Sequence, residues 1–414
     1  MSINLTRECV SRRLWRAKVV QGILPLHMPL FIEKQFVEMA EKLGIHADRF
    51  EGKTLLINGA GGFLGNHIVG LLQHLNRRRF KKAVHIIALD NFLTGIQNSL
   101  LVEHDDPNLE FIQHDVREPF KTDRDVHFIL HAASIASPVY YAKYPMETLA
   151  ATVDGLRHTL DFALEKKPEA VLYFSSSEIY GDPDATNIPT KEDYNGNVSH
   201  TALRACYDES KRIGETIATI YQRVHGLPVV SVRPFNAYGP GMKIDDKRVL
   251  PNFLNAALDG TTIEIHNRGA QTRTFAYVTD AVSGYLRVLL LGKPGEAYNI
   301  GSDADEISMF ELAKKVESVF GKPVDIQLAK YPEGYPVGDP TRRRPDITKA
   351  RTELDFNPSV TLADGIERTL QWYQFLRAHN KKNTASKKKP SLKKKVVKKL
   401  VKKNASKKKQ VKRR

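Results

Sequence analysis

The chain has 414 residues, 41% of them hydrophobic, which is enough for one large or two modest domains with an ample core. Two cysteines, Cys9 and Cys206, exclude a disulfide framework and favour a reducing compartment. The formal net charge of +16 comes from the end of the chain, because residues 381–414 hold 18 Lys or Arg and no acid, which leaves −2 for the other 380 residues.

The chain contains no run of about 18 apolar residues, and its N-terminus has no signal-peptide pattern. We therefore expect a cytoplasmic protein without a transmembrane segment. Residues 1–50 precede the first predicted strand, and residues 29–43 predict a helix from the spacing of their apolar side chains. We expect this helix to pack on the main body or on a second subunit, with docking to another protein as the alternative.

Residues 53–72 have the order strand, glycine turn, helix, with the strand at 54–57 and the helix at 63–75. Such a turn lets backbone N–H groups approach a pyrophosphate at the start of the helix, which predicts a dinucleotide site. A tight turn without a ligand is the alternative. The residues predicted to contact the cofactor here are Gly59, Gly62, Phe63, Leu64 and Gly65.

Asp90 ends the next predicted strand, at 84–89. A carboxylate there accepts the ribose hydroxyls of NAD and repels a 2′-phosphate, so NAD is predicted rather than NADP. Asp90 lies further from the glycines than the usual interval of about 20 residues, because the basic insert 76–82 lengthens the helix–strand connection. Asn91 follows directly, and Asp115 and Val116 come after a strand at 109–112, where they are expected to flank the adenine.

Strands and helices continue to alternate beyond this point. The remaining elements are predicted as strands at 126–130, 170–174 and 228–232 and as helices at 146–166 and 205–224. This alternation predicts an α/β fold with a doubly wound parallel sheet of the Rossmann type over residues 51–240. Residues 241–380 are richer in Pro, Gly and Arg and predict a smaller, interleaved substrate-binding region.

The lysine-rich segment 381–414 is repetitive, since KKNTASKKK recurs as KKNASKKK. We expect a disordered tail. Two functional alternatives remain open: the lysines can bind a polyanion such as nucleic acid, or a partly apolar helix can lie on an anionic membrane surface.

Tyr207 and Lys211 are four residues apart in a predicted helix and therefore share one face. An ammonium group beside a phenol is expected to lower the phenol pKa, so that Tyr207 can act as a base near neutral pH. Ser176 and Glu178 follow the strand at 170–174, where Ser176 can hydrogen-bond a reacting hydroxyl and Glu178 can act as an acid or base. A surface pair and a capped serine turn are the structural alternatives.

Several strings within residues 53–375 resemble the extended short-chain dehydrogenase/reductases, and among them the UDP-glucuronate decarboxylases, also called UDP-xylose synthases. The matching strings are GAGGFLG, DNFLTG, FIQHDVREP, HAASIASP, SSSEIYGDP, RACYDESKR, RPFNAYGPGM, RVLPNF, QTRTFAYVTD and DPTRRRPDITKA. The strings YDESKR and R-x-P-D are more specific than the glycines, which the whole superfamily shares.

The resemblance implies oxidation of UDP-glucuronate at C4, loss of CO₂ and re-reduction to UDP-xylose with tightly bound NAD. It implies catalytic roles for Tyr207, Lys211, Ser176 and Glu178, and it places Arg343 at the substrate carboxylate, with the neighbouring arginines leaving the register open by one. Asn236, Asn252, Arg273 and Arg343 are the residues it implies for substrate binding. We expect a homodimer, a UDP-sugar substrate and no metal site.

Two departures and two alternatives bear on this interpretation. Ile135 stands where the family often has proline, and Ser176 stands where decarboxylases often have threonine. A dehydratase or epimerase of the same superfamily is the nearest alternative, although Ser177 occupies the place where many dehydratases have aspartate. A catalytically silent NAD-binding scaffold with a polyanion-binding tail is the alternative from another class.

Overall fold

The computed structural model describes residues 28–266, 269–330 and 340–388. The first half contains α1 (Leu30–Leu43), a 3-10 helix (Gly44–Phe50), β1 (Thr54–Asn58), α2 (Phe63–Arg78), β2 (His85–Asp90), β3 (Leu109–Gln113), β4 (Phe128–His131), α3 (Pro138–Lys143), α4 (Pro145–Lys166), β5 (Ala170–Phe174), two 3-10 helices (Ser177–Tyr180 and Ala185–Asn187) and α5 (Ala205–His225). The second half contains β6 (Val229–Pro234), β7 (Ala237–Tyr238), α6 (Val249–Asp259), β8 (Ile263–His266), β9 (Thr272–Arg273), β10 (Ala276–Tyr277), α7 (Val278–Leu291), β11 (Ala297–Ile300), β12 (Ile307–Ser308), α8 (Met309–Phe320), β13 (Ile326–Ala329), β14 (Arg342–Arg343), α9 (Thr348–Leu354) and α10 (Leu362–Lys388).

A sheet of seven parallel strands forms the centre, in the order β11-β6-β5-β4-β1-β2-β3. The chain order reverses between β4 and β1, which is where an open α/β sheet leaves a crevice for a ligand. The strands β1, β2, β4 and β5 are short and almost wholly buried, as expected for a parallel sheet covered on both faces, whereas the edge strand β3 is partly exposed. The predicted doubly wound α/β fold is confirmed.

The sheet draws on residues beyond 240. Strand β11 pairs with β6, and α7 makes the crossover between β6 and β11 and is buried along its length. The rest of this region forms three small sheets, with β10 beside β7, β9 between β12 and β14, and β13 beside β8. The C-terminal region is therefore interleaved with the sheet domain, and position 240 is not a clean boundary.

Helix α2 continues further than its predicted end. It runs to Arg78, so the first part of the basic insert is helical rather than part of the connection. The side chain of Asn76, near the end of α2, holds the chain where it returns to the sheet. It donates to Val84 O at 2.9 Å and accepts from Val84 N at 2.8 Å. These two hydrogen bonds fix the start of β2 against the end of α2.

Helix α1 packs on the main body. One face of the helix is buried in the central core through Ile32, Phe36, Met39 and Leu43. The ring of Phe36 lies so close to Gly70 of α2 that a Cβ there would be 2.5 Å from Phe36 Cζ. Ion pairs from Lys42 to Asp280 and from Glu38 to Arg368, at 2.8 and 2.6 Å, hold α1 to α7 and α10.

Helix α10 extends into the segment that was predicted to be a disordered tail. It runs to Lys388, so residues 381–388 of the predicted disordered tail are helical in the structure. The reason is local: no proline interrupts residues 362–389, and Pro390 follows only after the helix has ended. The rest of the predicted tail, including its apolar stripe, lies outside the described residues. None of the helices in the described part of the chain is long and apolar enough to cross a membrane.

Replacing Phe36 by alanine tests whether α1 is part of the folded core. Phe36 is fully buried, and truncation of a buried phenylalanine typically lowers the free energy of unfolding by about 3–5 kcal/mol. The control is Val37→Ala, since Val37 is 40% exposed in the same helix and should cost about 0.5 kcal/mol or less. Chemical denaturation measures both variants, and equal midpoints for the two would show that α1 does not stabilise the fold.

Candidate active site

The glycine turn after β1 forms a cradle that side chains would fill. Gly59 has φ +83°, and a Cβ on it would lie 2.7 Å from Ala133 N. A Cβ on Gly65 would lie 2.7 Å from Ala60 Cα. Gly62 precedes the first turn of α2, where Phe63 and Leu64 are partly buried. Because these glycines carry no side chain, the backbone N–H groups at the start of α2 are accessible to a pyrophosphate.

Asp90 shapes this turn from the neighbouring strand. One carboxylate oxygen accepts from Gly61 N at 2.8 Å and the other from Phe92 N at 2.7 Å. Burial raises the pKa of Asp90, while these two hydrogen bonds act in the opposite direction. The carboxylate thus lies against the glycine cradle, which is where the sequence predicted it.

A cavity of about 470 Å³ extends from this point. Its lining includes Asn91, Phe92, Asp115 and Arg117. The Asp115 carboxylate accepts from Arg117 at 2.8 and 2.9 Å and from Asn91 at 3.1 Å, and its pKa is lowered chiefly by the Arg117 hydrogen bonds. Val116 packs against Gly155 of α4. The cradle and this cavity together fit the diphosphate and the adenosine of a dinucleotide.

Tyr207 lies near the start of α5 and is 7% exposed. Its ring stacks on Tyr141, with ring centres 5.5 Å apart and an angle of 14° between the planes. Lys211, one turn further, donates from Nζ to Phe174 O at 2.7 Å, and Nζ lies 5.8 Å from the centre of the Tyr207 ring. A hydrogen bond links Ser176 to Tyr207, so the structure brings the predicted residues Tyr207, Lys211 and Ser176 together.

The expectation of a lowered tyrosine pKa is wrong for this structure. Burial raises the pKa of Tyr207 to about 12, although the Ser176 hydrogen bond and the charge of Arg248 lower it in part. Burial also lowers the pKa of Lys211 to about 7. Removal from water therefore dominates the pKa shifts of both groups, which the spacing of Tyr207 and Lys211 alone cannot reveal.

Glu178 lies between two guanidinium groups beside this tyrosine. Arg343 Nη2 donates to Glu178 Oε2 at 2.6 Å, and Arg204 Nη2 donates to the same oxygen. Arg343 Nη1 also lies 3.5 Å from the amide oxygen of Asn236. Burial opposes ionisation of Glu178, but the charges of Arg343, Arg204 and Arg273 outweigh it, so its pKa is lowered.

The three consecutive arginines have different partners. Arg342 pairs with Glu306, and Arg344 donates to Asp303 O, whereas Arg343 reaches Glu178. Strand β14 pairs with β9 so that Arg343 lies opposite Arg273. The sequence left open which of the three arginines reaches the site. In the structure the middle one, Arg343, contacts Glu178.

The other two predicted substrate residues differ in their surroundings. Arg273 is buried and donates to Thr272 O and Pro340 O at 2.8 and 2.6 Å, and its charge acts on Glu178. Asn252 is exposed in α6 and donates to Lys247 O at 2.8 Å. Within the described ranges no hydrogen bond joins the Asn252 side chain to the Glu178 cluster, so its role in substrate binding stays a prediction.

Four site residues were not identified from the sequence: Tyr141, Arg204, Asp208 and Arg248. Arg204 and Asp208 are four residues apart in the string RACYDESKR, so helical spacing was a usable signal. Arg248 lies 5.9 Å from the centre of the Phe63 ring and is held by Asp246 at 2.6 Å. No local pattern marks Arg248 or Tyr141, because tertiary packing alone brings them to the site.

The fold and site define an enzyme of the sugar-nucleotide class, and the comparison with family models agrees. The chain belongs to the NAD dependent epimerase/dehydratase family, whose model matches residues 55–301. This membership confirms the predicted resemblance to the extended short-chain enzymes and the prediction of NAD as cofactor.

Similar proteins of known name narrow the class of sugar-nucleotide enzyme. UDP-glucuronic acid decarboxylase 5 of Arabidopsis thaliana is 38% identical over 312 residues, which are 75% of this chain and 86% of that protein. UDP-glucuronic acid decarboxylase 1 of Danio rerio is 36% identical over 80% of this chain and 75% of its own. A crystal structure of a dTDP-glucose 4,6-dehydratase from Streptomyces venezuelae with NAD bound is 27% identical, has a TM-score of 0.69 and covers 78% of this chain and 98% of that one.

Replacing Gly65 by alanine tests the cofactor cradle. The added methyl group forces the turn away from Ala60, and overpacking of this kind typically costs about 1–3 kcal/mol, so NAD should be retained about 5–150-fold less tightly. The readout is the amount of NAD released when the purified protein is denatured. Gly260→Ala controls for a general loss of stability, because its φ of +66° strains an alanine at the end of α6 although its Cβ meets nothing within 4 Å. Equal NAD content in both variants would rule out the cradle as the binding site.

Proposed function

We propose that the protein decarboxylates UDP-glucuronate to UDP-xylose, by oxidation at C4, loss of CO₂ and re-reduction with a tightly held NAD. The observation that carries this proposal is the position of Arg343, whose partly buried guanidinium is bonded to Glu178 beside Tyr207 and Ser176. A guanidinium fork binds a carboxylate in a bidentate manner, and the sugar carboxylate is the group that distinguishes this substrate. The relatives named as UDP-glucuronic acid decarboxylases support the same reaction.

Each residue has a physical role in this proposal. NAD, when bound, supplies the oxidation at C4 and its later reversal. The phenolate form of Tyr207, which Ser176 and Arg248 favour, accepts the proton of the C4 hydroxyl and afterwards returns it, with Ser176 sharing the hydrogen bond. Lys211 lies beneath the phenol and, fixed by Phe174 O, is in place to bind the cofactor ribose. The glycine cradle at Gly59 and Gly65 holds the diphosphate.

Decarboxylation follows from the chemistry of the substrate. A ketone at C4 makes the C6 carboxylate part of a β-keto acid, and CO₂ leaves readily because its bonding electrons delocalise into the carbonyl. Arg343 orients the carboxylate, and Glu178 fixes Arg343. Ser177, where many dehydratases have aspartate, leaves the site without the acid that would expel water.

We also propose an oligomeric state, a ligand for the lysine-rich tail and a cellular location. We infer a homodimer, supported by an apolar stripe on α5 in which Ile213, Ile220 and Val224 are 45%, 50% and 68% exposed. Binding of the lysine-rich tail to a polyanion is supported by its 18 positive charges. A cytoplasmic location is supported by the low cysteine count.

The decisive assay is CO₂ release from UDP-glucuronate by the pure protein without added NAD. The proposal predicts many turnovers per protein, because the cofactor ends each cycle in its starting state. UDP-glucose is the matched control, since it lacks the carboxylate. Conversion of one NAD per product, or no CO₂ at all, would contradict the proposed reaction.

Tyr207→Phe removes the hydroxyl that moves the C4 proton while keeping the ring stacked on Tyr141. We expect kcat to fall by about 10²–10⁴-fold, the usual contribution of general acid–base catalysis. Tyr221→Phe is the control on the same helix, because Tyr221 donates to Asp161 in an exposed position. Near-normal turnover by a folded Tyr207→Phe protein would refute the assignment.

Arg343→Ala tests recognition of the substrate carboxylate. Loss of a hydrogen bond to a charged group costs about 1.5–3 kcal/mol, so UDP-glucuronate should bind about 10–150-fold more weakly while UDP changes little. Arg342→Ala is the control, because that side chain is 41% exposed and pairs with Glu306 instead. Equal losses for UDP and UDP-glucuronate would assign Arg343 to the diphosphate or to structure.

A further inference from the structure

Four charged side chains form a continuous buried chain beside Tyr207. Arg343 contacts Glu178, Glu178 contacts Arg204, and Arg204 Nε contacts Asp208 Oδ2 at 2.8 Å. Their side chains are between 4% and 16% exposed. Arg343 comes from β14, Glu178 from the 3-10 helix after β5, and Arg204 and Asp208 from the start of α5.

The two carboxylates in this chain are not equivalent. Glu178 has a guanidinium on each side, whereas Asp208 has Arg204 through Oδ2 alone, and its Oδ1 finds no hydrogen-bond partner among the described residues. A buried, unpaired carboxylate oxygen is costly. Burial and then the negative charge of Glu178 raise the pKa of Asp208 to about 7, against the opposing charges of Arg204 and Arg343.

The charge balance explains what an entering carboxylate would do. The two guanidinium groups and two ionised carboxylates of this chain sum to zero. Arg273 adds a positive charge near Glu178, and the family resemblance assigns it to the substrate diphosphate, which UDP-glucose carries as well. A sugar carboxylate at Arg343 therefore leaves the buried chain with one uncompensated negative charge. Such a charge is strongly unfavourable away from water. Protonation of Asp208 removes this negative charge at the lowest cost in free energy, because Asp208 is the carboxylate with fewer stabilising partners.

We propose that Asp208 is a specificity-determining residue that takes up one proton from solvent when a sugar carboxylate binds to Arg343, while Arg204 remains on Glu178. This inference rests on the proposed function. The only covalent change is a new O–H bond on Asp208. A neutral sugar nucleotide brings no charge to this chain and should bind without the proton, so Asp208 couples recognition of an anionic sugar to pH.

The sign of the pH effect follows from the uptake of one proton. Above the pKa of Asp208 in the ligand-free protein, affinity for UDP-glucuronate should fall about tenfold for each unit of rising pH. Below that pKa the group is already protonated, and the affinity should level off. Affinity for UDP-glucose should lack this dependence.

The experiment is titration calorimetry with the full-length Tyr207→Phe protein carrying its cofactor, in which turnover of the ligand is slowed by about 10²–10⁴-fold. Measurement at about pH 8 in two buffers of different ionisation enthalpy gives the protons taken up per ligand. We expect an uptake close to one for UDP-glucuronate and close to zero for UDP-glucose. Equal uptake for both sugars would overturn the proposal.

Asp208→Asn, added to the same protein, separates charge from structure. Asparagine keeps an oxygen for Arg204 Nε and resembles the protonated acid, so proton uptake and the pH dependence should disappear while UDP-glucuronate still binds. Glu209→Gln is the control, because Glu209 is 37% exposed and pairs with Arg212 at the surface. Unchanged uptake in the Asp208→Asn protein, or an equal loss of affinity for both sugars at every pH, would assign Asp208 a structural role.

The two proposals fail in different ways. If UDP-glucuronate binds and CO₂ is released but no proton accompanies binding, the coupling through Asp208 is wrong and the decarboxylase function stands. If the protein carrying its cofactor neither binds UDP-glucuronate nor releases CO₂, the proposed function itself is wrong.

Discussion

The ion pair between Glu178 and Arg343 joins positions 165 residues apart and holds the C-terminal region over the sheet. Glu178 follows a central strand, whereas Arg343 lies in a separate small sheet. Two backbone hydrogen bonds support the pair, since Thr190 N donates to Arg344 O at 2.9 Å and Asp346 N donates to Thr190 O at 2.8 Å. A buried ion is costly without its partner, so this pair favours the arrangement in which the pocket is assembled.

Burial also determines how the site can handle protons. The phenol of Tyr207 is neutral at pH 7 and the ammonium of Lys211 is easily neutralised, because both charges lie away from water. Ser176 and Arg248 are the groups that favour the phenolate. The tyrosine therefore depends on residues from other parts of the chain, and the Tyr207–Lys211 pair alone does not make a base.

The sequence could predict the features that depend on local patterns. The strand at 170–174, the glycine turn and the shared face of Tyr207 and Lys211 follow from residue type and spacing. The direction of the tyrosine pKa shift and the place of Arg248 could not be predicted, because burial and long-range packing decide both. The helical state of residues 381–388 was missed because their lysines suggested solvated coil, whereas lysine and alanine are good helix formers and no proline precedes Pro390 in α10.

Helix α1 has a consequence for how the protein is made. Glu38 pairs with Arg368, 330 residues later in the chain, and Lys42 pairs with Asp280. At about 5–20 residues per second, a ribosome needs roughly 15–65 s to complete that interval. Phe31 of α1, whose ring lies 6.0 Å from that of Phe375, stays without this contact for that time. An apolar side chain left exposed during synthesis is open to contact with other nascent chains, so a chaperone that covered α1 in this interval would protect the chain from aggregation.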